Sequence, residues 1–304
     1  MSEEKQNTQK KPKKEKTLSW AQVWELTKTS FIEFFKGDSF MHGAALAYYA
    51  VFALVPIIYL AVTFFGKIVG QDRVIEIVTD LLESNMGMKE VSTVTDLMYQ
   101  WDIGVGGTPI IQVVGLIALA FTATAMFNSL SKSLNFFFGV TQSQNKSAFL
   151  RNIIRRLISF GLMALFGVII LVIYFAQSVL ISIGARLLSN GSVVQDILYS
   201  FLEHVSIITI NFLAFTFVFK FLHDGVVRWK LAMTGAIFTA ILLYFGQLII
   251  NYYLANYFFA KNSGLAGTLL AILAWIFYTS QIIFLGAKYM SVYARMTGTP
   301  ISEK

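Results

Sequence analysis

The chain has 304 residues, of which 56% are hydrophobic and 13% charged, with a formal net charge of +7; a soluble domain carries roughly 25% charged residues. That balance excludes an ordinary soluble domain and predicts an integral membrane protein. Cysteine is absent, which excludes disulfides, thiolate metal sites and a cysteine nucleophile. The three histidines, His42, His204 and His223, lie too far apart for an HExxH-type ligand pair, so neither metal nor cofactor is expected.

Residues 1–17, "MSEEKQNTQKKPKKEKT", lack an apolar h-region and are expected to stay on the mature protein as a disordered basic cytoplasmic tail. Lys10, Lys11, Lys13, Lys14 and Lys16 suit an anionic lipid surface at about 1 kcal/mol each, or else simply set orientation. Residues 18–37 read as an amphipathic interfacial helix. Trp20, Trp24, Thr27, Phe31 and Phe34 recur at helical spacing, with Gln22, Glu25 and Lys28 elsewhere on the circumference. Tryptophan at headgroup level fits that placement.

Residues 38–295 are expected to form the membrane domain. A bilayer core needs about 20 mainly apolar residues per helix, because every backbone polar group must pair within the segment. Six stretches qualify: 42–65, 109–128, 153–183, 197–221, 229–251 and 266–290. In the first, Gly43, Ala47, Ala50 and Leu54 share a small-residue face, while His42, Tyr49 and Pro56 recur a heptad apart on another, with Tyr48 beside Tyr49. Small residues let a second helix come close. Pro56 leaves the carbonyl of Phe52 without its usual donor. The tyrosines and proline read either as part of a pathway or as packing around a static kink.

The loop 67–108 carries seven acids and a stretch in which Val74, Ile77, Val78 and Leu81 face away from Asp72, Glu76, Asp80 and Glu83, which suits an amphipathic cap. Further along, Thr124, Asn128 and Ser131 stripe the second span, Tyr174 and Gln177 are neighbours on the third, and Glu203, His204 and Asn211 mark the fourth. Tyr244, Gln247 and Asn251 line one face of the fifth. On the sixth, Gly264, Gly267, Ala271, Ala274, Tyr278, Gln281 and Lys288 share a face that passes from small to polar. Residues 296–304 read as a second cytoplasmic tail.

Nineteen lysines and arginines fall in the segments that are internal if the amino terminus is cytoplasmic, against five outside. The positive-inside rule therefore places both termini in the cytoplasm and 67–108 outside. With that orientation Glu203, His204, Tyr244, Gln247 and Asn251 belong to outer halves, and His42, Tyr48, Tyr49, Asn128, Tyr278 and Gln281 to inner halves. Two polar vestibules about a tightly packed middle would suit a carrier. Six helices held by interior polar contacts of roughly 0.6 kcal/mol each would look the same. Glu203 is a site candidate because an acid inside a span is costly, and His204 titrates near neutrality; the pair suits an interfacial anchor equally.

Four stretches carry a more specific signal: "DSFMHGAALAYYAVFALVPIIYLA", "FNSLSKSLNFFFGV", "WKLAMTGAIFTAILLYFGQ" and "NSGLAGTLLAILAWIFYTSQIIFLGAKYMSVYA". Together they resemble the YihY/BrkB family of bacterial inner-membrane proteins, also called virulence factor BrkB and formerly labelled ribonuclease BN. The resemblance rests on Ala44 to Tyr49 with Pro56, on Gly235 after Trp229, and on Trp275 followed by Gly286 and Ala287. Where the family often has Ser-Tyr-Gly this chain has Asn262-Ser263-Gly264, and where it commonly has Glu this chain has Lys288, so a role for that acid does not carry over. The resemblance implies an all-α, multi-pass protein of the bacterial inner membrane that moves lipid or an envelope precursor.

The older label is weighed against the residues. Phosphodiester hydrolysis needs a metal-binding cluster or a positioned acid and base on a soluble surface, and the amino-terminal lysines interleave with no aromatics that would stack bases. Ribonuclease activity and specific nucleic-acid binding are not expected. No GxxxxGK[ST] loop occurs, so the chain would not use ATP by itself. The competing reading is a nonenzymatic scaffold that docks an envelope protein through the outer loop. Membrane lipids are the expected partners in either case, and oligomeric state is not legible.

Overall fold

A run of residues with helical periodicity forms a long helix, and the structure, a computed structural model, is built almost wholly of such helices. It describes residues 19–70, 72–77, 79, 109–140, 193–257, 264–299 and 301–303. In chain order these contain α1 (Trp20–Lys36), α2 (Ser39–Val69), α3 (Pro109–Phe138), α4 (Val193–Phe221), β1 (Gly225–Val226), α5 (Trp229–Asn256), α6 (Gly264–Met296) and β2 (Ser302–Glu303). The expected spans 42–65, 109–128, 197–221, 229–251 and 266–290 each fall inside one helix, and 153–183 lies outside the described residues. Among the described residues, three stretches are long and apolar enough to cross a bilayer: His204–Phe221, Trp229–Ile250 and Ala266–Met296; within α2, Ser39–Leu54 is a further apolar stretch.

α1 starts where the Ser19 amide donates to Gln22 Oε1 at 2.9 Å, closing the first turn. It carries two apolar arcs rather than one. Leu26, Ser30 and Phe34, spaced at i, i+4 and i+8, are buried against α6, where Leu26 meets Tyr289 and Val292. Ser30 is admitted to that arc because its hydroxyl donates to the Leu26 carbonyl at 2.7 Å. Trp20 and Trp24 stay 88% and 72% exposed. Phe34, grouped with the tryptophans on sequence, instead stacks on Phe137 of α3 at 6.0 Å; its arc lies between the two faces, and contact with α3 claims it. Ser39 then donates to the Phe34 carbonyl at 2.5 Å and joins the end of α1 to the start of α2.

α3 and α6 end in the same way. Gly139 and Gly298 both adopt φ of +70°, their neighbours Val140 and Thr299 donate back to the Asn135 and Ala294 carbonyls at 2.9 Å, and the glycine amides donate to the Phe136 and Arg295 carbonyls, so two carbonyls of each last turn are satisfied. The chain after Gly298 does not run free. Ser302 and Glu303 pair antiparallel with Val226 and Gly225 in the link between α4 and α5, and Ile301 packs against the core. The segment read as a tail is thus fastened at 301–303.

α6 is the axis of the bundle, in contact with α1, α2, α3 and α5, while α4 packs on α5. Glycine sets the spacing. A Cβ added to Gly246 would lie 2.1 Å from the Tyr278 hydroxyl, and one added to Gly286 would lie 1.8 Å from Thr239 Oγ1, so both α5–α6 crossings depend on backbone meeting side chain directly. The main buried cluster gathers at one end of the bundle: Phe34 of α1, Leu134 and Phe137 of α3, Phe215 and Phe219 of α4, Leu231 and Ala232 of α5, and Phe284 and Met290 of α6. The dense packing expected across the middle is found at this end among the described residues. In the expected cap, 72–77 is helical, with Val74 and Ile75 buried and Ile77 exposed. Val78 and Leu81 lie outside the described residues.

Candidate functional site

The small-residue face of α2 is the packed one: Gly43, Ala47 and Ala50 are buried. At Gly43 the approach is extreme. A Cβ there would fall 1.8 Å from Gln281 Nε2 and 2.8 Å from Ser280 Oγ, so the Gln281 amide rests on the α2 backbone. Both its nitrogen and its oxygen are buried and have no hydrogen-bond partner among the described residues. An amide held in this way costs about 1–3 kcal/mol relative to a paired one.

One residue before Gly43 and so about 100° round the helix, His42 lies beside the same crossing. Its Nδ1 is 2.9 Å from Ser133 Oγ, and Ser133 donates in turn to the Ser129 carbonyl at 2.8 Å. The imidazole sits among rings, with centroids 4.6 Å from Phe136, 5.6 Å from Phe137 and 6.3 Å from Phe284. Sequence spacing picked out Asn128 and Ser131 on α3; the residue that reaches His42 is Ser133, and Asn128 is half-buried.

A heptad below Gln281 on α6 stands Lys288, and a heptad below that Arg295. Both meet Glu33 of α1: Arg295 Nη2 donates to Oε1 at 2.5 Å, and Lys288 Nζ lies 3.9 Å from Oε2. The Lys288 side chain is only 17% exposed, and its ammonium lies over the Phe137 ring, 5.8 Å from the centroid. A single carboxylate therefore serves two cations. A second polar joint closes the same end of the bundle. Asn135 Nδ2 donates to Asp224 Oδ2, and the Asp224 amide donates to Asn135 Oδ1, both at 2.9 Å. His223 is buried, with Nε2 2.7 Å from the Phe219 carbonyl and Nδ1 accepting from the Gly225 amide at 3.0 Å.

The remaining sequence candidates fall apart into separate places. Tyr48 and Tyr49 are 57% and 37% exposed, their rings 5.5 Å apart, with Tyr48 also against Phe52 at 4.7 Å. Pro56 lies within α2, and the side chains of Pro56, Glu203 and Asn251 lie outside the described residues. His204 is exposed on α4 with its ring 5.6 Å from Tyr244 of α5, and Gln247 is half-buried one turn further on. Tyr278 belongs to the α5–α6 contact at Gly246. What the structure brings together is His42 and Gln281, with Ser133, Glu33, Lys288 and Arg295. Glu33 and Arg295 were legible only as charges flanking apolar runs, and Lys288 only as the polar end of the α6 face, since a span pattern gives no signal for a partner on another helix. No group of three or more His, Cys, Asp or Glu that could hold a metal occurs among the described residues.

The family model described as virulence factor BrkB matches residues 31–303. Among curated proteins, the chain is 24% identical over 269 residues to the UPF0761 membrane protein Smlt0865 of Stenotrophomonas maltophilia strain K279a, and equally to the UPF0761 membrane protein of strain R551-3. Each alignment covers 86% of this chain and 59% of the relative, so the chain spans about three-fifths of the length of the curated relatives it matches. No solved structure matches significantly.

Proposed function

The chain belongs to the virulence factor BrkB family, and on that premise we propose that it is a translocator of lipid or an envelope precursor in the bacterial inner membrane, with six spans and both termini cytoplasmic. It is not an enzyme, and it does not use ATP by itself. The observation that carries this reading is the Gln281 amide, buried against Gly43 with no partner among the described residues. A helix contact made only for rigidity gains nothing from an unpaired amide, whereas a passage for a polar group needs donors and acceptors that are free until the group arrives. Lys288 and Arg295, one and two heptads further along the same face, fit a cargo with an anionic head.

Two measurements test the proposal. Because native cysteine is absent, a cysteine placed at Asp80 is expected to react with an impermeant thiol reagent in intact spheroplasts, and one placed at Lys14 only after lysis; the reverse pattern inverts the orientation. For activity, the purified chain in liposomes is expected to move fluorescent phospholipid between leaflets faster than empty vesicles do. A rate no higher than that of empty vesicles favours the second reading, a scaffold that docks an envelope protein through 67–108.

A further inference from the structure

On α6, Gln281, Lys288 and Arg295 are seven residues apart, so at 100° per residue they drift by only about 20° per step and form one stripe roughly 21 Å long. Its end is wet, since the Arg295 side chain is 55% exposed, and its middle is not, since that of Lys288 is 17% exposed. Two cations on this stripe share Glu33, and the carboxylate sits much closer to Arg295 than to Lys288. Lys288 is therefore an under-neutralised ammonium in a half-dry setting, supported in part by the Phe137 ring. Beyond it lies the unpaired amide of Gln281.

Beside the stripe runs a line of aromatic rings. Phe31, Phe35, Phe40 and Phe277 are linked in sequence by centroid separations of 6.5, 6.1 and 6.3 Å. Phe277 is one turn from Gln281, while Phe35 and Phe40 are 59% and 51% exposed. The track begins at the amphipathic helix α1 and meets the stripe at its Gln281 end through Phe277.

We propose that the Gln281–Lys288–Arg295 stripe is the headgroup site of an anionic phospholipid, whose acyl chains lie along the Phe35–Phe40–Phe277 track. The inference rests on the translocator reading and names its cargo class. A phosphodiester entering at Arg295 meets Lys288 and displaces the carboxylate of Glu33 as its counterion; Gln281, one heptad or about 10 Å further along the stripe, offers its Nε2 as the next donor when the headgroup moves on. Glu33 is the resident anion that keeps the cations paired while the site is empty, and the aromatic track is what distinguishes a lipid from a free anion.

The test measures binding and flux separately. Purified full-length chain is offered short-chain phosphatidylglycerol or phosphatidylcholine, and retention is read by native mass spectrometry. The wild type is expected to favour the anionic lipid by about tenfold, the size of one charge-assisted contact. In Lys288→Gln that ratio should fall to near one with phosphatidylcholine retention unchanged. Lys288→Arg should keep it, and Glu33→Gln should raise it by removing the competing carboxylate. A general loss of fold would lower both lipids together, so the ratio reports the headgroup contact. An unchanged ratio in Lys288→Gln overturns the inference, as does displacement of phosphatidylglycerol by inorganic phosphate at equal concentration, which would make the site one for a soluble anion. Flux of labelled lipid in liposomes tests the translocator reading alone: absent flux with the binding ratio intact would sink that reading and leave the headgroup site standing.

Discussion

Gln281→Leu is expected to make the protein more heat-resistant and much less active. The amide nitrogen and oxygen are both buried without a partner among the described residues, so an apolar side chain of similar size removes a desolvation cost of about 1–3 kcal/mol and adds none. The thermal midpoint in detergent should rise by a few degrees. Lipid flux in liposomes should fall at least about tenfold if the amide meets the cargo, a common exchange of function for stability at working sites. Gly43→Ala approaches the same group from the other side. Its Cβ would lie 1.8 Å from Nε2 and 3.0 Å from Cδ, and because the far end of a glutamine is flexible, the helix pair survives while the amide is pushed aside. Flux should fall in this variant too, without the gain in midpoint. Normal flux in both variants would remove Gln281 from the mechanism.

Gly286→Ala is expected to carry the largest loss of stability. The new methyl would meet Thr239 Oγ1 at 1.8 Å and Thr239 Cβ at 3.0 Å. Rotating the threonine relieves the first contact and leaves the second, because Cβ is fixed by the backbone. Thr239 is itself 0% exposed, with its hydroxyl donating to the Gly235 carbonyl at 2.8 Å. α5 and α6 must therefore separate, at a cost of about 1–3 kcal/mol for overpacking a tight contact. Gly235→Ala is the control. Its methyl meets Met290 Cβ and Sδ at 3.1 Å; the sulfur end can swing aside and no contact is as close as the 1.8 Å one at Gly286, so that midpoint should fall by less. In a double-mutant cycle, Thr239→Gly, which removes that Cβ, should recover part of the loss caused by Gly286→Ala. Equal midpoints for Gly286→Ala and Gly235→Ala would show that the crossing is looser than this geometry.

The apolar composition and the 3.6-residue periodicity determined by themselves that this is a helical membrane protein, because both are local properties: a segment's hydropathy and the faces of its helix need no partner to be defined. The small face of α2, from Gly43 to Ala50, was legible for that reason, and so was the polar stripe of α6 from Tyr278 to Lys288. Periodicity names a face but not what covers it. On α1 two apolar arcs stood side by side, and only contact of Leu26 with Tyr289 and Val292 of α6 and of Phe34 with Phe137 of α3 decided that the arc of Leu26, Ser30 and Phe34 goes inside while Trp20 and Trp24 stay out. Likewise His42 finds Ser133 across 91 positions and Glu33 finds Arg295 across 262. Such pairs leave no mark in any local window. They form when packing at the α1 end of the bundle brings distant polar groups out of water together, where each must take the partner that the tertiary structure supplies.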